Sequence, residues 1–141
     1  MVLSSNFNGL RKVVVVLDTN SLMYSVEKPV DLLDQLLTTI PASLEFAVPA
    51  SVIEELKNLL ERGRFKERRL ASLALKIAEK CRVVAEQDAS KPADAVILER
   101  AKREGWVVVT NDRSLRRQLR QLGVPVVFIK NRLLKVEGDI L

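Results

Sequence analysis

The feature that most constrains the fold is a pair of short, unbroken valine runs, each leading into a carboxylate. Val13-Val14-Val15-Val16-Leu17 runs into Asp18-Thr19-Asn20, and Trp106-Val107-Val108-Val109 runs into Thr110-Asn111-Asp112. Runs this short, apolar at every position, read as strands covered on both faces, the signature of a parallel sheet. Open α/β sheets bind their ligands beyond the carboxyl ends of the strands. Asp18 and Asp112 are therefore placed where chemistry is done. Asp also caps helices well, and each acid alone is equally explained as the cap of the helix that follows it.

Strand-like and helix-like patterns alternate along the rest of the chain. Residues 30–40 read as a helix closed by Pro41, and 44–48 as a second strand. A helix starts at Pro49 and is broken at Gly63, and another covers about 66–80. A short strand at 82–85 and a polar loop at 86–91 follow, and Pro92 suits the first position of the next helix. After Gly105 come the strand at 106–109, a basic helix at 113–122 ended by Gly123, and a fifth strand at 126–129. Strands joined by helical crossovers imply a mostly parallel five-stranded sheet with helices on both faces. With 141 residues, and neither repeat nor linker, the expectation is one α/β domain over residues 1–141 with its core at about 12–130. The tail at 137–141 has no assigned role.

Several function classes drop out on composition. Cys81 is the only cysteine, which excludes an internal disulfide and argues against a thiolate cluster. There is no histidine, so His-based acid–base chemistry, the usual nucleophile triads and His-ligated zinc are absent. No apolar stretch is long enough to cross a membrane, and residues 1–6 lack the basic and apolar regions of a secretory signal. The expectation is a cytoplasmic chain with no membrane partner. Net charge is +5 with a pI near 9.6, compatible with a polyanionic partner. The basic residues cluster: Arg62, Arg64, Lys66, Arg68 and Arg69; then Arg113, Arg116, Arg117 and Arg120; then Lys130, Arg132 and Lys135.

Two further acids stand out by helical position. On the helix from Pro49, at about 100° per residue, Val52, Ile53, Leu56, Leu59 and Leu60 form one stripe. Glu55 borders that stripe and Glu54 lies nearly opposite it. Asp94 precedes Ile97, Leu98 and Ala101 by three, four and seven positions, which places it on the core-facing side of its helix; Glu99 falls off that side. The structural alternatives are surface glutamates and a first-turn carboxylate favoured by the helix dipole. Four acids meeting in one crevice would repel unless a cation joined them. With oxygen ligands only, that cation is expected to be Mg²⁺ or Mn²⁺. Such a site beside a basic surface suits phosphodiester hydrolysis through an activated water.

In this order and on these elements, Val16-Leu17-Asp18-Thr19-Asn20, the segment from Pro49 to Leu56, Asp94-Ala95-Val96-Ile97 and Thr110-Asn111-Asp112 resemble the PIN-domain nucleases over about residues 12–130. The resemblance implies a three-layer α/β/α sandwich and metal-dependent RNA cleavage, with Asp18, Glu55, Asp94 and Asp112 as catalytic and metal-holding acids. It implies that Asn20 and Thr110 orient those acids, with Thr19 left as a turn residue. The helical pair at 61–80 and the ending at 113–130 resemble small archaeal members, grouped with VapC-type toxins and with rRNA-processing nucleases. An antitoxin protein or a pre-ribosome is the corresponding partner, and a homodimer the expected state, with Leu32, Leu36 and the 70–75 stretch as contact residues or core. Some relatives carry another acid directly after the Asp94 position, where this chain has Ala95, which favours one ion over two. Arg62, Arg64, Arg113, Arg116 and Arg117 are the residues expected along an RNA path, since phosphate contacts supply most non-specific affinity. Aromatics are too few for base stacking to dominate. The competing reading is a non-catalytic RNA-binding or ribosome-assembly module on the same fold. A nucleotide-binding or receiver-like domain ranks last, for want of a phosphate-cradling glycine loop.

Overall fold

The computed structural model describes residues 11–86 and 90–140. The N-terminal residues that lack a secretory signal's pattern, the middle of the polar loop at 86–91 and the last residue of the tail lie outside that range. The elements are β1 (Lys12–Leu17), α1 (Thr19–Glu27), α2 (Leu32–Thr39), β2 (Ser43–Pro49), α3 (Ala50–Arg62), α4 (Phe65–Ala78), β3 (Arg82–Val84), α5 (Ala93–Glu104), β4 (Val107–Val109), α6 (Arg113–Gln121), β5 (Val126–Lys130) and β6 (Leu133–Glu137).

The strands form one sheet in the order β3-β2-β1-β4-β5-β6. All neighbouring pairs are parallel except β5 and β6, which are antiparallel. The chain winds outward from β1 to β3, returns to lay β4 against β1, then winds outward on the other side. The reversal of winding falls between β1 and β4, where Leu17 sits opposite Val109. The two valine runs thus end side by side, at the position where open sheets bind ligands.

Alternation along the central strands sends side chains into two separate cores. Val13, Val15, Leu17, Val107, Val109, Val127 and Ile129 pack with residues of α1 to α4, including Leu22, Leu36, Val52, Leu56 and Ala74. Val16, Val108 and Val126 face the other way and pack with Ile97 and Ala101 of α5 and Leu115 and Leu119 of α6. The result is a three-layer α/β/α sandwich. Each fully buried leucine contributes on the order of 2 kcal/mol. Leu32 and Leu36 are spent on this core and are not available to a second copy, whereas Phe65 and Leu73 on α4 stay exposed.

Two elements depart from the sequence expectation. Where the sequence pattern implies one helix between the first two strands there are two, because Asp18 caps α1 directly after β1. The sheet has six strands, not five. Asn131 and Arg132 both take positive φ, 52° and 62°, the mirror-image turn that matches strand twist in a two-residue hairpin. That turn folds β6 back along β5, and the third basic cluster therefore lies on a hairpin. Among the described residues, no helix is long and apolar enough to cross a membrane.

Candidate active site

Asp18 is both a helix cap and a strand-end acid. Its Oδ1 accepts the Ser21 amide at 2.7 Å, and the Ser21 hydroxyl donates to its carbonyl at 3.0 Å. Parallel register places Thr110, fully buried, beside it. The Thr110 side chain hydrogen-bonds the Asp18 carboxylate, and its hydroxyl oxygen accepts the Asp112 amide at 3.0 Å. A hydroxyl can do both at once, so one buried side chain ties the two acids together. Burial pushes the Asp18 pKa up from 3.8 to about 6. The Thr110 and Ser21 hydrogen bonds oppose that rise, and the Asp112 charge adds slightly to it.

Glu55 is half-buried and Glu54 exposed, as the helical stripe implies. The Glu55 carboxylate bridges two other helices: the Thr19 hydroxyl donates to its Oε1, and the Ala93 amide donates to its Oε2 at 3.3 Å. Thr19 is thus more than the turn residue it resembles in sequence. Glu86 is a second residue the sequence does not single out. Pro49 offers α3 no side-chain cap, and Glu86 Oε1 takes its place, accepting the Ser51 amide at 2.8 Å and hydroxyl at 2.7 Å. The separation of 35 residues leaves no local signal for this contact.

Asp94 corrects the helical-face argument. It is exposed, while Ala93, Val96, Ile97 and Ala101 form the buried side of α5. At about 100° per residue, the stripe centres on Ala93 and Ile97 and leaves Asp94 on its flank. Asp112 is also exposed, and its Oδ1 caps α6 through the Leu115 amide at 2.9 Å. Asn20 Oδ1 accepts the Asn111 amide at 3.2 Å. Asn111 itself turns inward: its side chain donates to the Ile129 carbonyl at 2.9 Å and accepts the Ile129 amide at 2.8 Å. It thereby extends the β4–β5 ladder past the end of β4.

These residues line one shallow depression of about 180 Å³, which brings together Asp18, Glu55, Asp94 and Asp112 with Thr19, Asn20, Ala93 and Leu115. The acids come from four separate segments. Among the described residues, no three carboxylates are already gathered as ligands about one point. The donor set is nonetheless all oxygen, which fits Mg²⁺ or Mn²⁺ and no softer ion. Mg²⁺ also retains several waters and needs few protein ligands, so a loosely spaced set suits it. A larger cavity of about 520 Å³ is lined by Glu86, Lys91, Glu99, Arg100 and Arg103. There Lys91 pairs with Glu99, and Arg100 with Glu104; the strand-end acids do not reach it.

The arginines sort into two groups. Arg113 and Arg117 are exposed. Arg116 stacks 3.9 Å from the Phe128 ring centre and pairs with Glu137 at 3.5 Å. Arg120 donates to the Val124 carbonyl at 2.9 Å and lies against Gly138, where a β-carbon would collide with the guanidinium. Arg116 and Arg120 therefore fasten α6 to the β5–β6 hairpin. Arg62 and Arg64 are exposed at the α3–α4 turn.

Against known proteins, residues 15–132 match the model of a family described as a PIN-like domain. Ribonuclease VapC9 of Archaeoglobus fulgidus is 36% identical over 115 residues, 82% of this chain and 82% of that protein. The rRNA-processing protein fcf1 of Schizosaccharomyces pombe is 28% identical over 127 residues, 87% of this chain and 62% of that protein. The solved structure of the PIN domain endonuclease Utp24 superposes with a TM-score of 0.74 at 24% identity, over 89% of this chain and 92% of the other. At that identity the superposition speaks to the fold.

Proposed function

The chain belongs to the PIN-like domain family, and on that premise we propose that it is a divalent-metal-dependent endoribonuclease. The observation that carries the reading is the convergence of Asp18, Glu55, Asp94 and Asp112 on one depression at the β1–β4 reversal. In a chain without histidine, oxygen donors are what remains to hold an ion. A bound Mg²⁺ or Mn²⁺ would acidify a water and offset charge on the scissile phosphate. The four acids would hold it, and the absence of an acid at Ala95 favours a single ion. Thr110 and Asn20 fix the two strand-end loops relative to each other. Arg113 and Arg117 lie along the phosphate path.

Two settings fit a chain similar to a VapC ribonuclease and to an rRNA-processing protein: an RNA cut by a toxin that an antitoxin protein restrains, or a precursor rRNA met in a pre-ribosome. Either places the chain in contact with RNA, and a cytoplasmic location is part of the reading. The reading includes a homodimer, with Phe65 and Leu73 of α4 among the exposed apolar groups available to it. Sedimentation should show a dimer at micromolar concentration, and a monomer throughout would remove that part. The second reading, a non-catalytic RNA-binding module, is favoured by the ungathered carboxylates.

Cleavage of a labelled structured RNA with Mn²⁺ or Mg²⁺, run beside EDTA, separates the two. Metal-dependent cleavage supports the nuclease. Salt-sensitive binding without cleavage supports the module. A further test uses the sorted arginines. Arg113→Ala and Arg117→Ala are each expected to reduce the slope of log K against log salt by about 1. Arg116→Ala should lower the melting temperature and leave that slope nearly unchanged. Equal salt slopes for all three variants would dissolve the partition.

A further inference from the structure

We propose that Thr19 is a positioning residue that orients Glu55 toward the metal, a role resting on the nuclease reading above. Thr19 is the first residue of α1, and Asp18 holds that turn rigid through Ser21. With the turn fixed, the Thr19 side chain lines the acidic depression and its hydroxyl donates to Glu55 Oε1. The other carboxylate oxygen accepts the Ala93 amide at the first turn of α5. That amide is one of the orphan donors of a helix start, and Pro92 provides no side-chain cap for it.

The two contacts constrain different freedoms. Glu55 has three rotatable side-chain bonds and projects from the border of α3, so packing alone leaves its carboxylate free to swing. One hydrogen bond would still allow rotation about it. Two donors, on helices α1 and α5, fix both oxygens and hence the plane of the carboxylate. Each carboxylate oxygen can accept more than one partner, so lone pairs remain for an ion while both donors stay in place. Asp18 and Thr19 are adjacent in the chain, so the turn that sets one acid also sets the orientation of the second. Glu55 thereby arrives prealigned, and metal binding does not have to immobilise it.

Loss of a hydrogen bond to a metal-holding side chain typically weakens metal affinity 10–100-fold. Thr19→Val, which keeps the shape and removes the hydroxyl, is therefore expected to raise the Mn²⁺ dissociation constant about tenfold or more. That constant is read from the free-Mn²⁺ electron paramagnetic resonance signal, without substrate. Cleavage at saturating Mn²⁺ should stay within a few-fold of wild type, so the defect sits in the metal concentration required. Thr19→Ser should restore wild-type affinity, which a purely steric role for the threonine methyl would not predict. Unchanged Mn²⁺ affinity in Thr19→Val, with normal binding by wild type, overturns the role of Thr19 alone. A loss of cleavage that excess Mn²⁺ cannot repair does the same. Wild-type protein that takes up no Mn²⁺ overturns the metal reading, and this proposal with it.

Discussion

Asp18→Asn is expected to abolish metal-dependent RNA cleavage while leaving RNA binding intact. Outer partners of metal-holding residues typically contribute 10–100-fold, so loss of a first carboxylate should exceed about 100-fold. Asn keeps the oxygen that accepts the Ser21 amide, and α1 should still be capped. The same variant has an opposite effect on stability. In the folded chain without metal, burial lifts the Asp18 pKa from 3.8 to about 6. Between about pH 4 and 6 the folded state therefore holds a proton that the unfolded state has released. Stability falls as pH rises through that window, by on the order of 3 kcal/mol for a shift of about two units. Above pH 6 the full penalty is present, and below about pH 4 it is gone. In EDTA at pH 8, Asp18→Asn should thus melt higher than wild type, and its advantage should vanish near pH 4. Metal should raise the wild-type melting temperature alone. A wild-type protein more stable than the variant at pH 8 in EDTA would show that no penalty exists.

Asn111→Ala is expected to be among the most damaging single changes outside the two cores. Ile129 is 2% exposed, and its amide and carbonyl are both met by the Asn111 side chain. Truncation leaves a buried donor and a buried acceptor without partners, at about 1–3 kcal/mol each. A loss of about 2–6 kcal/mol is a large share of the 5–15 kcal/mol typical of a domain. Urea denaturation at fixed pH reads it directly. Asn111→Asp keeps the acceptor and loses the donor, and should fall between. A loss below about 1 kcal/mol in Asn111→Ala would mean that water replaces the amide. Because Asp112 follows directly, cleavage should also fall at temperatures where the variant remains folded.

Much of this was legible in the sequence because its signals are local. Unbroken valine runs identify covered strands, and helix-breaking Gly63, Gly105 and Gly123 mark boundaries close to those observed. Glu55 was separable from Glu54 because an amphipathic stripe fixes a border. The same reasoning misplaced Asp94, since a stripe read from three residues could not show that Ala93 supplies its centre. β6 was hidden because its turn is Asn131-Arg132: asparagine accepts positive φ readily, but arginine there carries no turn signal. Thr19 and Glu86 act on partners 35 or more residues away, a relation that only the packed helices create. Nothing in the basic run shows that Arg116 and Arg120 also fasten α6 to a hairpin, since their partners lie beyond it in the chain.

The two margins of the sheet determine how this protein resists aggregation. β3 offers only three residues as a template for a foreign strand. β6 is longer, but it carries Lys135 at its middle and ends in Glu137, charges that discourage flat stacking of one edge on another. Strand-to-strand association is therefore discouraged at both margins. Under conditions that peel β6 away, as when the Arg116 and Arg120 contacts fail, β5 would be uncovered. Its Val126-Val127-Phe128-Ile129 run has no internal charge, and it would become the seed for fibrous self-association.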